Sequence, residues 1–305
     1  MRVSQLLQRF GKGLPGAAEI PTPLVITRIG SQREFQEYRR GISAEVAARQ
    51  NDECELAQPS SSFTTPGFCF VCQKPTEFLS SWQWAHDIGG RLQMNWREHL
   101  RCPGCRLNNR MRASIHLLME TIAPTKKSRI YATEQTSPLY RYLCKHFPFL
   151  VGSEYLQGVT PRKNNSVDLR DEDLTKLSFS TESFDVILSF DVLEHIPDYP
   201  AAFAECARVL RLGGKMLFSV PFDANAATNL IRARLREDGT IEHVQPAEYH
   251  CDPRKPEGCL CFQRFGWQML EQMKEAGFLR TCALSYYSRE YGYLGGEQMQ
   301  FLAEK

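Results

Sequence analysis

From Lys127 onward the chain alternates short apolar runs with stretches whose apolar residues recur every three or four positions. The runs "RIYAT", "FLVGSEY", "NSVDL", "FDVILSF", "GKMLFSVPF", "TCALSYYS" and "MQFLAEK" have the length and the β-branched and aromatic content of strands. Strands separated by helical segments predict βαβ units and a parallel sheet. The best-marked crossover is "DYPAAFAECARVLRLGG". Pro200 suits a first helical turn, Ala202, Phe203, Cys206, Val209 and Leu210 fall on one face, and Gly213-Gly214 is the expected stop. This helix joins a strand ending near Asp191 to one beginning near Lys215. In "VILSFDVLEHIP" the apolar run stops abruptly at Asp191, Glu194 and His195. A buried parallel strand places those side chains at its carboxyl end, where an open α/β sheet binds its ligand.

Upstream the pattern differs. Residues 1–65 read as an N-terminal helical and linker segment, with a helix over "SQREFQEYRRGISAEVAARQ" and a linker at "AQPSSSFTTPG". Residues 66–118 hold two C-x-x-C pairs, and "NNRMRASIHLLMETIAP" predicts a helix that ends near Pro124. The α/β pattern then occupies 119–305, with an insertion over 222–264 that a minimal sheet does not need. Within it, "REDGTIEHV" predicts a hairpin through Asp238-Gly239.

With 305 residues, 42% of them hydrophobic, the chain can bury a large core and a smaller one. No apolar run approaches the roughly 20 residues of a membrane span, and "MRVSQLLQRFGKG" lacks the apolar core of a signal peptide. A soluble, cytoplasmic protein without a membrane partner is expected. The eleven cysteines are an odd count in a long chain without an export signal, which favours metal binding or burial over a disulfide framework. A net charge of +2 gives no general bias toward polyanions.

Cys69-x2-Cys72 and Cys102-x2-Cys105 change the picture most. Each short turn aims two sulfurs at one point, and two such turns make the tetrahedral thiolate set of a structural zinc. His86 and His99 lie between the pairs and are read as structural. Arg97, Arg101, Arg106, Arg110 and Arg112 surround the second pair against one acid, Glu98. They suit either an anionic ligand or a solvated, ion-paired face, and the near-neutral chain favours the second.

The stretch "KLSFSTESFDVILSFDVLEHIPDYPAAFAECARVLRLGGKMLFSVPF" resembles the central half of class I S-adenosylmethionine (SAM)-dependent methyltransferases of the type 11 kind. In that family a D-x-x-x-L-P-F turn precedes S/T-F-D-V-I and V-L-E-H, and a helix leads to L-x-P-G-G. Asp173, Leu177, Ser178 and Phe179 fill the first pattern, with Ser178 in place of proline; Phe184-Asp185, Asp191, Glu194-His195 and Leu212-Gly213-Gly214 fill the rest. "VGSEYL", "EYHCDP", "FQRFGW" and the C-x-x-C followed by arginine are similar to a bacterial subgroup with a zinc-binding front end.

The resemblance implies a Rossmann-like, seven-stranded class I methyltransferase sheet with a small zinc-ribbon-like module, SAM as cofactor and a structural zinc. Glu154, at the end of the second strand, is implied as acceptor for the ribose hydroxyls, Asp173 with the Leu174 backbone as the adenine contact, and Ser189 and Phe190 as neighbours of the sulfonium. The first loop, "YATEQTSPLYRYL", departs from the family's D/E-x-G-x-G-x-G. Thr133, Glu134, Gln135 and Thr136 would hold the cofactor's amino and carboxylate groups with side chains instead, Glu134 accepting from the ammonium.

For a hydroxyl acceptor, His195 and His250 are the candidate bases. The insertion is expected to close over the acceptor. Cys251, Cys259 and Cys261 are read as unligated. The leading expectation is methyl transfer to oxygen of a small-molecule or glycan-like acceptor. An RNA methyltransferase gripping RNA through the zinc module, and a non-catalytic scaffold, are the alternatives.

Overall fold

The computed structural model describes residues 21–156, 169–252 and 255–305. The chain divides into two compact units. One comprises residues 21–26, Ala44–Thr121 and Tyr286–Gln298; the other comprises Thr27–Ser43, Ile122–Ser285 and Met299–Lys305.

A seven-stranded sheet is formed by strands β1 Ile26–Ile29, β2 Ile130–Ala132, β3 Leu150–Gly152, β4 Phe184–Phe190, β5 Leu210–Ser219, β6 Arg280–Ser288 and β7 Tyr293–Glu304. Their order is β1-β6-β7-β5-β4-β2-β3. Strands β3, β2, β4 and β5 are parallel neighbours, with Ala132 level with Gly152 on one side and Leu188 on the other. Strand β7 runs antiparallel to β5, Phe301 opposite Phe218. Six of the seven residues of β4 are buried, as a central strand covered on both faces requires. The helix Tyr199–Val209 makes the crossover from β4 to β5: Asp198 caps its start, Pro200 stands in the first turn, and Ala202, Phe203, Cys206 and Val209 are buried. Met269, Leu270 and Met273, from the helix Gln268–Glu275, join the same core.

Four sequence readings need correction. The helix expected over "SQREFQEYRRGISAEVAARQ" is two helices, Gln32–Gly41 and Ser43–Leu56, the first capped by the Ser31 hydroxyl. Strand β1, "ITRI", was not foreseen, because four residues in a polar segment show no period. Gly213-Gly214 does not stop the crossover helix, which ends at Val209. The pair instead sits inside β5, where the register with β4 shifts between Phe184 and Val186. Gly213 takes φ +74° and Gly214 leaves no room for a Cβ, which would meet the Arg211 carbonyl at 2.8 Å. Lastly, "FLVGSEY" contributes only Leu150–Gly152 to the sheet. The reading "NSVDL" falls on 165–169, of which 165–168 lie outside the described residues; just beyond, Asp171 forms a parallel bridge with Glu154.

The insertion is built of short antiparallel pairs. Ala233–Leu235 pairs with Ile241–His243 through Asp238-Gly239, as the sequence suggests, and Gly239 has φ +81°. Tyr249–Asp252 pairs with Lys255–Leu260.

In the smaller unit, Ser62–Cys69 and Lys74–Ser81 form an antiparallel hairpin with Cys69 opposite Lys74. The helix Asn109–Thr121 is buried on most of its surface. Phe63, Phe78, Trp96 and Leu100 pack with Cys69 and Cys102 in this unit's core.

Candidate cofactor and metal sites

The parallel strands end together. Thr133 follows β2, Glu154 follows β3 by two residues, and Asp191 follows β4, so the sequence-predicted cofactor residues Thr133, Glu134, Glu154, Ser189 and Phe190 share the carboxyl edge of one sheet. The Thr133 hydroxyl donates to the Ser189 hydroxyl at 3.0 Å, and both residues are buried. Asp191 turns the chain away from the sheet with φ +55°, a conformation aspartate tolerates better than most residues. Its amide donates to the Ser219 carbonyl and its Oδ1 accepts from the Ser219 hydroxyl, each at 2.9 Å.

The glycine-free loop has a structural reason. None of Thr133, Glu134, Gln135, Thr136 or Ser137 adopts a positive φ, so no glycine is required there. The Glu154 carboxylate organises the loop instead: one oxygen accepts from the Gln135 amide, the Thr136 amide and the Thr136 hydroxyl, all at 2.9 Å. The close approach that a loop glycine would allow is provided across the gap by Gly152. A Cβ there would lie 2.3 Å from Tyr140 Cε2 and 2.7 Å from the Glu134 carbonyl. Gly152→Ala is therefore expected to cost about 1–3 kcal/mol by overpacking, read as a lower denaturation midpoint with an unchanged m-value.

Asp173 is exposed, and its Oδ1 is engaged in a local turn, accepting from the Thr175 amide at 2.8 Å and the Thr175 hydroxyl at 2.7 Å. Leu174 is buried beside it. The turn Leu177–Phe179 is anchored on the crossover helix. Arg208 donates to the Leu177 and Phe179 carbonyls at 3.0 and 2.8 Å, and Glu205 accepts from the Leu177 amide at 2.8 Å. Arg208 also holds the Glu205 carboxyl below its ordinary range. Glu172 was not singled out from the sequence, yet it is buried and takes the Ser178 amide at 2.9 Å and Arg170 at 2.8 Å. Nothing in the run "RDEDL" distinguishes that one acid from its neighbours. As a donor set, this edge offers the Glu154 carboxylate and the Thr133 and Ser189 hydroxyls, with Phe190 the apolar residue at the end of β4. That composition fits a nucleoside-bearing cofactor.

His195 and His250, 55 positions apart in sequence, are brought together, with ring centroids 5.0 Å apart and edge to face. His195 lies in a short 3₁₀ turn, Leu193–His195, and its Nδ1–H donates to the Leu260 carbonyl at 2.8 Å. The Glu194 carboxylate lies between them, fully buried: its Oε1 is 3.4 Å from His250 Nδ1 and 3.8 Å from His195 Nε2. His250 Nε2 contacts Glu248 at 3.2 Å. The Glu194 carboxylate first, and Glu248 after it, hold the His250 imidazole above its ordinary pKa against the opposing effect of burial. The Cys261 thiol donates to the Gln263 carbonyl at 3.2 Å, and burial pushes its pKa up to about 11. Cys259 stands opposite His250 in the strand pair, and the Cys251 side chain lies outside the described residues.

In the smaller unit the four predicted thiols converge. Cys69, Cys72, Cys102 and Cys105 place their sulfurs within 4.8 Å of one another, with Cys69–Cys105 and Cys72–Cys102 each at 3.8 Å. Four sulfurs at about 2.3 Å from a tetrahedral zinc stand about 3.8 Å apart, whereas a disulfide needs about 2.05 Å. His86 is exposed, and His99 is bonded to the Gln83 carbonyl at 2.7 Å, so neither replaces a thiol. Of the five arginines, Arg97 and Arg110 each pair with Glu98 at 2.7 Å, and Arg101 and Arg106 are exposed. Arg112 is wholly buried, which the charge run did not reveal. Its guanidinium donates to the carbonyls of Leu100, Tyr291 and Gly292 at 3.1, 2.6 and 3.1 Å and lies 3.8 Å over the Phe78 ring.

Residues 141–218 match the family model of a methyltransferase domain. Curated relatives, two of which follow, are similar to part of the chain. The ubiquinone biosynthesis O-methyltransferase of Hahella chejuensis is 42% identical over 55 residues, 18% of this chain and 23% of that protein. The protein of the same description from Xanthomonas oryzae pv. oryzae is 34% identical over 111 residues, 33% of this chain and 46% of that protein. The chain thus spans less than half the length of the curated relatives it matches. Among solved structures, an S-adenosylmethionine dependent methyltransferase from Mesorhizobium loti aligns at TM-score 0.40 and 14% identity, over 63% of this chain and 98% of that one. No helix among the described residues is long and apolar enough to cross a membrane. Over residues 141–218 the chain is therefore similar to a methyltransferase domain, and these residues help build a Rossmann-like sheet.

Proposed function

We propose that this protein is a SAM-dependent methyltransferase acting at oxygen of a small-molecule or glycan-like acceptor, with zinc as a structural metal. The observation that carries the reading is the Glu154 carboxylate, set at the end of β3 within the stretch similar to a methyltransferase domain and holding the first loop by three hydrogen bonds. When bound, SAM supplies an electrophilic methyl group on a sulfonium.

The chain's own residues then have distinct roles. Glu154 fixes the loop and offers its carboxylate to the ribose. Thr133, Glu134 and Thr136 line the path of the amino-acid end, while Ser189 and Phe190 stand at the strand end nearest the sulfonium. Asp173 and Leu174 form the adenine side. Because methyl transfer is an in-line displacement, the protein's main contributions are alignment and exclusion of water. The insertion supports the second, since its Phe262 amide donates to the Glu194 carbonyl at 2.8 Å and its Gln263 side chain to the Leu193 carbonyl at 2.7 Å, fastening it beside the turn after β4. The Glu194–His195–His250 cluster receives the acceptor's hydroxyl. Oxygen as the methylated atom is supported by the partial likeness to ubiquinone biosynthesis O-methyltransferases. Cys69, Cys72, Cys102 and Cys105 would hold the zinc.

Titration calorimetry with SAM and with S-adenosylhomocysteine tests the reading. The intact chain is expected to bind both, and Glu154→Ala to bind at least about tenfold more weakly, since a lost hydrogen bond to a charged group costs about 1.5–3 kcal/mol. Absence of binding to the intact chain would leave the scaffold alternative. Salt-dependent retention of RNA on a filter would favour the RNA alternative, whose electrostatic term must weaken with salt.

A further inference from the structure

We infer that Glu194, His195 and His250 form a second metal site, for a first-row divalent transition metal, separate from the four-cysteine site. The inference rests on the methyltransferase reading only for its consequence, not for the site itself.

Glu194 is fully buried, and neither of its carboxylate oxygens has a hydrogen bond among the described residues. A buried carboxylate left without hydrogen bonds is costly unless a cation balances it, a role open to the His250 imidazolium at 3.4 Å and to a bound metal. The two imidazole nitrogens that face it, His195 Nε2 and His250 Nδ1, stand at 3.8 and 3.4 Å. These separations are long for hydrogen bonds. Ligands about 2.0–2.2 Å from one metal stand roughly 3–3.5 Å apart, so the His250 separation matches such an edge and His195 would close by a few tenths of an ångström to reach one.

The outer contacts agree. A metal-bound histidine gives its other ring N–H to a carbonyl or carboxylate, which fixes the tautomer and the ring plane. His195 gives Nδ1–H to the Leu260 carbonyl at 2.8 Å, and His250 turns Nε2 to Glu248 at 3.2 Å. Glu248 is in turn held by Arg232 and Arg264, each at 3.2 Å. Cys261 lies near Glu248 and His250, but its thiol proton is already given to the Gln263 carbonyl, so it is left out of the ligand set.

Two imidazoles and one carboxylate suit Fe(II), Co(II) or Zn(II) and leave coordination positions open. An acceptor oxygen bound there would be acidified by the metal, as bound water is. His250 comes from the insertion and Glu194 from the turn after β4, so the metal would also tie the insertion to the sheet's edge.

Cobalt(II) titration of the metal-free full-length protein, followed by absorption spectroscopy, is the test. Two equivalents are expected. One gives the thiolate-to-cobalt charge-transfer band of the four-cysteine site; the other gives only weak d–d bands and is lost in Glu194→Gln and in His250→Ala. Glu248→Gln should weaken that second equivalent by about 10–100-fold while leaving the thiolate band unchanged. Circular dichroism of each variant establishes that it is folded; His250 and Glu248 are partly exposed, so these changes spare the core. Uptake of a single, thiolate-bound equivalent by the intact chain, or a second equivalent retained in folded His250→Ala, would overturn the site. Because cobalt is titrated without SAM, failure here and failure of SAM binding are read separately.

Discussion

Cys102→Ser is expected to unfold the smaller unit while the larger one stays folded. Four sulfurs that meet at zinc spacing join two turns separated by 29 residues, and the core around them is small, built on Phe63, Phe78, Trp96 and Leu100. A structural zinc contributes roughly 10–16 kcal/mol in isolated zinc-finger peptides, more than a core of that size supplies alone. Hydrogen exchange should show protection lost over 62–109 first, with the amides of β2, β4 and β5 still protected. Chelation should reproduce the pattern, with the variant isolating the thiol site from any other metal. Unchanged melting and exchange in a preparation shown to contain no metal would remove zinc from the account of this unit's stability.

Replacing Arg112 by Met should destabilise the protein by about 3–5 kcal/mol, the scale of removing one partner from a buried charged network. The side chain is wholly buried, has no carboxylate partner among the described residues, and is the donor for three carbonyls, two of them from the Tyr286–Gln298 segment. Met fills much of the volume but leaves those carbonyls without a donor. Four thiolates around one zinc would carry a net negative charge, which a buried guanidinium in the same unit would offset. Arg112→Lys should rescue only part of the loss, because an ammonium cannot serve three carbonyls in the fork geometry of a guanidinium. Chemical denaturation measures both, and a Met variant within about 1 kcal/mol of the parent would contradict the role.

Strand β4, the capped crossover helix and the Asp238-Gly239 hairpin were legible because each is specified locally, by an apolar run, by Asp198 with Pro200, and by a residue pair that turns tightly. The thiol cluster was legible because spacing alone limits what two C-x-x-C turns are built for. Strand β1 was not, since its pairing partner β6 lies some 250 positions away and nothing local demands it. Arg112 looked like part of a solvated face because its partners, the carbonyls of Tyr291 and Gly292, are about 180 positions distant. Glu194 was seen as an edge residue, and its complete burial appears only once the insertion folds beside it.

The ordinary backbone of Thr133–Ser137 has a thermodynamic consequence. Glycine-rich loops keep many conformations open and lose that freedom when a ligand seats against them. Here four consecutive side chains narrow the choice in advance, and Glu154 has already selected one arrangement. A ligand meeting this loop encounters a formed wall, so its association should carry a small entropic penalty and little temperature dependence from loop ordering.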